Sequence, residues 1–337
     1  MDDSLDFTTP AAAAPPPRAA VAAPAPAAPA SPSAGAPANS ALGKLSERLD
    51  ALDLNALPRV SPVATKLAAL NPSELDSVKS FCAIIEQEPI CVARLIGLAN
   101  SVAFGIPGKK FNALDQAVNR IGLERAAQTA FGMLCGQALN KGLSSQWREF
   151  LWLHAMAVAH GASMLATKVA PQERANAYLA GMIYDIGTLV IECLQAGTLD
   201  LLLQTAIARD MKLGQVEAVM LGKARRAVSN ALLKKWSLPE DIIGAVAERD
   251  FDSIEPDSLS AILAVADELA RSEIVMGAVY ADVDPPFPLD SIMLDGVSDR
   301  TGSLLSLDVD VYESIGERLS NQVMALRATA ESFSRSH

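Results

Sequence analysis

The stretch AGMIYDIGTLV, residues 180–190, places a carboxylate in the middle of an apolar, helix-like sequence. An aspartate in such a run needs a partner, because an unpaired buried carboxylate is costly. Asp185 can therefore be a metal ligand, a structural carboxylate paired inside the core, or the remnant of a lost site. A metal site would also require neutral imidazole nitrogens and further carboxylates that converge on one divalent cation.

Few other residues are available for such chemistry. The chain has only three histidines, His154, His160 and His337, so no alternative histidine cluster can be assembled. The cysteines lie singly in apolar helical patterns without CxxC spacing, which indicates core thiols in a reducing compartment and disfavours zinc sites and disulfides. They are Cys82, Cys91, Cys135 and Cys193. The motifs GxSxG, GxGxxG and GxxxxGK(S/T) are absent, which excludes P-loop nucleotide hydrolysis at the motif level.

The charge of the chain indicates which kinds of partner it can bind. The net charge is -11 and the isoelectric point is about 4.8. Basic residues occur in short groups, at 109–110, 225–226 and 234–235, and form no stripe. Binding to a nucleic-acid backbone is therefore disfavoured, and a protein partner or a small ligand is the better expectation.

The sequence also predicts a cytoplasmic protein without a membrane contact. The most apolar window, about 179–208, is interrupted by Asp185, Glu192 and Asp200, whereas a spanning helix needs roughly 20 apolar residues. The first residues, MDDSLDF, lack the features of a signal or transit peptide, so no export is expected.

Composition divides the chain into three parts. Residues 1–42 are nearly all Ala, Pro and Ser and contain nine of the 20 prolines, which predicts a disordered tether. From residue 43 onward apolar residues recur at helical spacing, so the fold is predicted to be all-α. Residues 43–142 form a predicted N-terminal helical lobe and 143–275 a second helical lobe. Residues 276–337 are predicted to form a loop, around 282–290, and a last helix, about 308–333.

Local signals give the predicted helices. Pro89 fits the first turn of a helix, and Gly122 separates two further helices. The predicted helices lie at about 60–70, 73–88, 89–100, 113–121, 123–140, 147–169, 172–196 (one or two), 198–211, 215–221, 223–236, 239–249, 256–273 and 308–333.

Six phrases, in order, resemble those of the HDOD family, a bacterial group of output domains related to the HD phosphohydrolases. They are LPRVSPVATKLAAL (57–70), EPICVARLIGLANSVAFG (88–105), LDQAVNRIGLERAAQ (114–128), LWLHAMAVAHGASMLA (151–166), AGMIYDIGTLVIE (180–192) and LLKKWSLPEDIIGAV (232–246). The resemblance implies an all-helical bundle whose residues 43–275 form an HDOD domain with an HD-like C-terminal lobe. It also implies a signalling or regulatory role.

The resemblance places a degenerate HD site in this chain. HD enzymes hold a metal through a histidine, an adjacent His-Asp pair and a distal aspartate. His154 corresponds to the first histidine, Asp185 to the aspartate of the pair and Asp267 to the distal aspartate. Tyr184 stands where the pair needs its histidine, and a phenol with a pKa of about 10 is a poor ligand for hard divalent metals at neutral pH. We therefore expect no metal, no cofactor, no catalytic residue and no enzymatic activity.

Two arginines complete the candidate contacts near this site. Arg225 and Arg249 stand in segments where many relatives carry further histidines, and added cations oppose metal binding. The Arg225-Arg226 pair could bind a phosphate-bearing ligand, although exposed helix arginines are usually only solvated.

The same residues also have structural interpretations. A buried His154 that hydrogen-bonds to Asp185 or a backbone carbonyl would satisfy both groups. Asp267 fits a solvent-facing helix position equally well, and His160 is interpreted as structural. Asn100 and Ser101 fit a helix cap before the loop 104–111, or a contact site.

The sequence therefore predicts a non-catalytic module that signals through protein–protein contacts. The candidate contact surfaces are the cleft between the lobes, the loop 104–111 and the last helix. Two alternatives remain: a residual metal-dependent phosphohydrolase using His154, Asp185 and Asp267, and a sensor that binds a nucleotide second messenger through Arg225 or Arg249.

Overall fold

The structure is a computed structural model that describes residues 47, 49, 51, 53, 61–69, 78–101, 104–139, 143–211, 213–248, 253–280 and 299–334. The predicted tether at 1–42 and the predicted loop at 282–290 lie outside these residues. Within them, regular structure is helical apart from one isolated bridge between Ile106 and Lys109, which confirms the all-α prediction.

The helices follow one another along the chain with short connections. They are α1 (Pro62–Ala69), α2 (Val78–Ile85), α3 (Pro89–Ala99), α4 (Leu114–Ile121), α5 (Leu123–Leu139), α6 (Ser145–Val169), α7 (Arg174–Met182), α8 (Ile186–Leu194), α9 (Thr198–Arg209), α10 (Leu213–Lys235), α11 (Glu240–Ala247), α12 (Leu259–Tyr280), α13 (Asp299–Gly302) and α14 (Val309–Ser334). A 3-10 turn, Pro171–Glu173, precedes α7.

Local sequence signals explain several helix ends. Pro89 begins α3, where a missing N–H is no loss because the first turn has no internal acceptor for it. Gly122 ends α4 with a φ of 94°, which side chains disfavour, and α5 begins at the next residue. Ser144 caps α6 by accepting a hydrogen bond from the Trp147 backbone N–H at 3.3 Å.

Two features differ from the predicted helices. The two helices predicted at 215–221 and 223–236 are one continuous helix, α10, because Gly222 interrupts it at a cost of only about 1 kcal/mol relative to alanine. The buried Leu221 and Val228 on either side favour continuity. The short α13 was not predicted. The segment 172–196, predicted as one or two helices, contains two α-helices separated by a turn at 183–185.

Helix α6 lies at the centre of the C-terminal part and packs against α7, α12 and α14. Its side chains are apolar on several faces, and residues such as Met156, Ala162 and Leu165 are fully buried. Two segments, Trp147–Val169 and Pro171–Leu194, are long and apolar enough to cross a membrane, but 78% of each segment's most apolar window is buried in the fold. Their composition is therefore accounted for by core packing.

One hydrophobic cluster joins both predicted lobes. It extends from Val63 and Phe81 in the N-terminal lobe to Leu319 and Leu326 in α14. Helix α5 contacts α7 and α8, so the N-terminal helices rest directly on the elements that carry the Tyr184-Asp185 turn. Phe131 of α5 packs edge-on against Trp236, with ring centroids 6.5 Å apart.

Candidate functional site

Two glycines allow the turn at 183–185 to enter the core. A Cβ added at Gly181 would lie 2.7 Å from the Ala159 Cα, so α7 can approach the backbone of α6 only because this residue has no side chain. A Cβ at Gly187 would meet the Ser229 hydroxyl and lie 2.9 Å from the Arg225 carbonyl oxygen. The glycines of AGMIYDIGTLV therefore fix Asp185 between α6 and α10.

The structure brings Asp185 and His154 together. His154 Nδ1 lies 2.6 Å from Asp185 Oδ2, and the two residues are 1% and 9% exposed. Asp185 directly precedes α8, yet its side chain makes no capping hydrogen bond to that helix. Phe150, one turn before His154 on α6, stacks on the imidazole at 5.8 Å between centroids and holds the plane of the ring.

Asp267 approaches His154 from the opposite side. Its Oδ1 atom lies 2.9 Å from His154 Nε2, so both ring nitrogens face a carboxylate. Burial opposes a charge on the ring, but the attraction of Asp185 and Asp267 outweighs it and raises the pKa of His154 to about 9. This pKa favours the imidazolium form at neutral pH, in which Nδ1 is hydrogen-bonded to Asp185 and Nε2 lies at ion-pair distance from Asp267. Asp267 lies in the site and not on a solvent-facing position.

Two further residues that the sequence did not suggest belong to the same cluster. Arg271 Nε donates to Asp267 Oδ1 at 3.0 Å, and its terminal nitrogen lies 3.7 Å from Glu217 Oε2. Arg271 and Glu217 are 6% and 8% exposed. Burial disfavours a charged guanidinium, but Asp267, Glu217 and Asp185 outweigh that effect and raise the pKa of Arg271. Thr188 Oγ1 donates to Glu217 Oε1 at 2.6 Å.

These contacts define a buried ionic cluster, formed by Asp185, His154, Asp267, Arg271 and Glu217. The three carboxylates face one imidazolium and one guanidinium, so positive and negative groups alternate through the cluster. The spacing of Asp267 and Arg271, four residues apart on one helix, is the signal in the sequence that could have revealed the pair. Glu217 has no such signal, because it reaches the cluster from α10.

Tyr184 is 3% exposed and lies in the turn beside Asp185. Within the described ranges, no group of three or more His, Cys, Asp and Glu side chains has a geometry suited to holding a metal ion. His154 is hydrogen-bonded to Asp185 and lies in ion-pair contact with Asp267, so these residues satisfy one another.

The structure describes one of the two candidate arginines, Arg225. Arg225 is 4% exposed and packs against Gly187, so it lies inside the fold and not at a solvated surface position. Its neighbour Arg226 is half-exposed and pairs with Glu248 at 2.8 Å. Arg249 lies outside the described residues.

Asn100 and Ser101 both act on the backbone at the end of α3. The Asn100 side-chain amide donates to the Phe111 carbonyl at 2.6 Å, and its oxygen accepts from the Phe111 N–H at 2.8 Å. Ser101 Oγ donates to the Leu98 carbonyl at 2.7 Å. Asn100 thus joins both ends of the loop 104–111, which is a structural role.

His160 lies at a separate buried position on α6. Its ring meets Tyr178 edge-on at 5.3 Å between centroids, and Phe104 lies 6.3 Å away. Burial and, to a lesser extent, the nearby Arg125 lower the pKa of His160 to about 3. His160 is therefore a neutral residue of the core at physiological pH.

The comparisons with known proteins agree with this architecture. The profile of the HDOD domain family matches residues 57–250. An uncharacterised protein of Treponema pallidum (strain Nichols) is 25% identical over 203 residues, which cover 60% of this chain but only 38% of that protein.

Three solved structures share the fold. An HDOD domain protein of unknown function from Geobacter sulfurreducens has a TM-score of 0.62 at 20% identity, covering 87% of this chain and 97% of the other. A Marinobacter aquaeolei VT8 protein, provisionally named for signal transduction, has a TM-score of 0.61 at 19% identity, covering 87% and 65%. A Shewanella amazonensis SB2B protein, provisionally named a phosphohydrolase, has a TM-score of 0.57 at 19% identity, covering 85% and 97%. With more than half of its length matched by one family profile, the chain belongs to the HDOD domain family.

Proposed function

We propose that this protein is a non-catalytic HDOD module that acts in bacterial signal transduction through protein–protein contacts. The position of His154 between Asp185 and Asp267, with a carboxylate oxygen within 2.9 Å of each ring nitrogen, is the observation that carries the proposal. A metal needs an unprotonated imidazole nitrogen, whereas Nδ1 of His154 is hydrogen-bonded to Asp185 and Nε2 lies 2.9 Å from Asp267. The ionic cluster therefore does not fit a divalent cation as it stands.

Arg271 supports the same conclusion from the side of the carboxylates. Its guanidinium supplies Asp267 and Glu217 with the positive charge that a metal would otherwise bring. A metal would have to displace a buried, hydrogen-bonded arginine, and that arginine would then lose its compensation in the interior. Tyr184 adds a phenol in the position where the resemblance requires a histidine, so one ligand is also missing.

The loop 104–111 is the contact surface that we favour for signalling output. Residues 106–110 are exposed, and the tip presents Ile106, which is 40% exposed, next to Lys109 and Lys110. The loop is anchored at both ends, because Asn100 holds Phe111 and the Arg120 side chain donates to the Phe104 carbonyl. A rigid loop with an exposed apolar side chain loses little conformational entropy when a partner binds.

Metal analysis and a hydrolysis assay test the absence of catalysis. We expect the full chain, purified from cells grown with added manganese and iron, to contain no stoichiometric metal and to show no turnover of bis-para-nitrophenyl phosphate. Stoichiometric metal that is lost together with turnover in Asp185→Ala would overturn the proposal.

A capture experiment tests the contact surface. We expect Ile106→Asp to abolish capture of a protein partner from extract of the native cell, while Val219→Asp leaves capture unchanged. Val219 is the matched control because it is 76% exposed on α10, away from the loop. Equal capture by both variants would exclude the loop as the contact surface.

A residual phosphohydrolase is the second candidate. The observation in its favour is that His154, Asp185 and Asp267, the three residues implied by the resemblance, do converge on one point. This function would require the imidazolium to lose its proton and Arg271 to move away. Turnover that rises when Arg271 is replaced by alanine in the presence of manganese would favour it.

A further inference from the structure

Basic side chains surround the loop 104–111, although the protein as a whole carries a net charge of -11. Two arginines contact Phe104 at the start of the loop. The Arg120 side chain donates to the Phe104 carbonyl, and the Arg125 guanidinium lies 5.9 Å from the centre of the Phe104 ring. Two lysines and an exposed isoleucine lie near the tip. We call these five residues the loop surface: Ile106, Lys109, Lys110, Arg120 and Arg125.

The positive charge of the loop surface is not neutralised by the described part of the fold. None of its four basic side chains forms an ion pair with a carboxylate of a described residue, and the nearby Glu124 pairs instead with Arg174 at 3.3 Å. Basic residues elsewhere differ, because Lys234 and Arg226 each lie beside a glutamate, at 3.7 and 2.8 Å. The loop surface is therefore suited to an acidic partner that also has apolar side chains to cover Ile106.

The first seven residues, MDDSLDF, have this composition. They contain all the acidic residues and the only aromatic residue of the segment 1–42, which is otherwise nearly all Ala, Pro and Ser. The acidic residues are Asp2, Asp3 and Asp6, and the large apolar residues next to them are Leu5 and Phe7. An extended chain of seven residues is about 23 Å long, so several of these side chains can contact one surface together.

Residues 8–46 are long enough to bring residues 1–7 to the loop surface. A flexible chain of about 40 residues has a root-mean-square end-to-end distance of about 35 Å, and proline makes a chain more extended. A compact domain of about 250 residues has a radius of gyration of about 18 Å. The effective concentration of a tethered segment is on the order of 1 mM or below, so a contact with a Kd well under 0.1 mM (~10 μM) forms in most molecules.

We propose that residues 1–7 bind the loop surface of the same chain, with their carboxylates facing the lysines and arginines and with Leu5 and Phe7 against Ile106. The bound segment covers the surface that we favour for signalling output, so a partner must displace it. This regulatory consequence rests on the proposed function, whereas the docking itself depends only on the two parts of the chain.

Photo-crosslinking in the full chain tests the docking directly. Phe7 is replaced by p-benzoylphenylalanine, which keeps an aromatic side chain, and mass spectrometry identifies the crosslinked peptides. We expect crosslinks within one chain from position 7 to residues 104–111. Raising the salt concentration from 0.1 to 1 M shortens the Debye length from about 10 to about 3 Å and should lower the yield. Crosslinks to another part of the chain, or between two chains, would overturn the proposal.

A charge exchange locates the contact. Reversing the three acidic residues to lysine should lower the crosslink yield about tenfold, because attractions become repulsions. Adding Lys109→Glu and Lys110→Glu should raise the yield again. Lys234→Glu and Lys235→Glu are the matched control, an exposed basic pair on α10 whose reversal should not raise it. Circular dichroism shows that each variant is folded. An unchanged yield in the triple reversal, or equal recovery with both lysine pairs, would contradict the proposal. The triple reversal consists of Asp2→Lys, Asp3→Lys and Asp6→Lys.

The capture experiment separates this inference from the proposed function. If both hold, the triple reversal increases capture of the partner, and Ile106→Asp lowers both capture and crosslinking. Crosslinks to the loop without any effect of these changes on capture would support the docking and count against the loop as the output surface. Capture that is lost in Ile106→Asp, without crosslinks to the loop in the parent chain, would support the output surface and overturn the docking.

Discussion

Replacing Arg271 by methionine is the sharpest test of the ionic cluster. Methionine keeps an unbranched chain of similar reach but removes the guanidinium, so Asp267 and Glu217 lose their shared cation. Arg271 is 6% exposed, and water cannot readily replace the lost contacts. His154 would then be the remaining cation of the cluster.

The expected magnitude follows from burial. Removing one partner of a buried ion pair costs about 3–5 kcal/mol, because it leaves an uncompensated charge in the interior. Arg226→Met is the matched control: Arg226 also pairs with a carboxylate, at 2.8 Å, but its side chain is 48% exposed. Pairs exposed to that degree contribute about 0–1 kcal/mol.

Urea unfolding at pH 7, followed by circular dichroism, measures both variants against the parent protein. We expect Arg271→Met to lose at least about 2 kcal/mol more than Arg226→Met, given the ranges for buried and exposed pairs. Equal losses of stability in the two variants would refute the reasoning, because they would show that the buried guanidinium does not stabilise the neighbouring carboxylates.

Three further predictions concern other parts of the fold. The pKa of His154 is raised from an ordinary 6.5 to about 9 in the folded protein. Protonation of His154 therefore contributes its full stabilisation to the fold below pH 6.5. Stability should fall by on the order of 3 kcal/mol as pH rises from about 6.5 through 9, and His154→Gln should abolish this slope. Gly181→Ala should destabilise the protein by at least about 2 kcal/mol, because the added methyl group overpacks the contact with α6. Gly222→Ala, which lies in open space on α10, should stabilise the protein by up to about 1 kcal/mol. Equal urea midpoints for the two variants would contradict this prediction. Asn100→Ala should speed amide exchange in the loop 104–111 without affecting α12, and unchanged exchange would show that the Asn100 hydrogen bonds do not hold the loop.

Most helices were predictable because their signals are local. The apolar period of 3.6 residues, Pro89 at a helix start and Gly122 at a helix end act within a few residues of one another. The division of α10 into two helices was wrong because distant packing decides it: Gly222 remains helical since the flanking Leu221 and Val228 are buried by other helices. The sequence left open whether 172–196 is one helix or two, because the turn at 183–185 depends on two close helix approaches.

The candidate site was only partly predictable. The resemblance supplied His154, Asp185 and Asp267, and the structure brings these three together. Glu217 and Arg271 escaped notice because charged residues on amphipathic helices are ordinarily solvated. The four-residue spacing from Asp267 could have indicated Arg271, whereas no local pattern marks Glu217. Arg225 shows the same difficulty, since its sequence context suggested a solvated position and its side chain is 4% exposed.

The sequence by itself determined the helical class, the order of the helices, the family resemblance and the replacement of a histidine by Tyr184. These properties depend on residue identity and short-range periodicity. Only the tertiary structure decided the position of His154 between two carboxylates and the pairing of Arg271 with Glu217. Each of these contacts joins groups more than 30 residues apart that meet in a poorly solvated interior, where burial and neighbouring charges set the electrostatics.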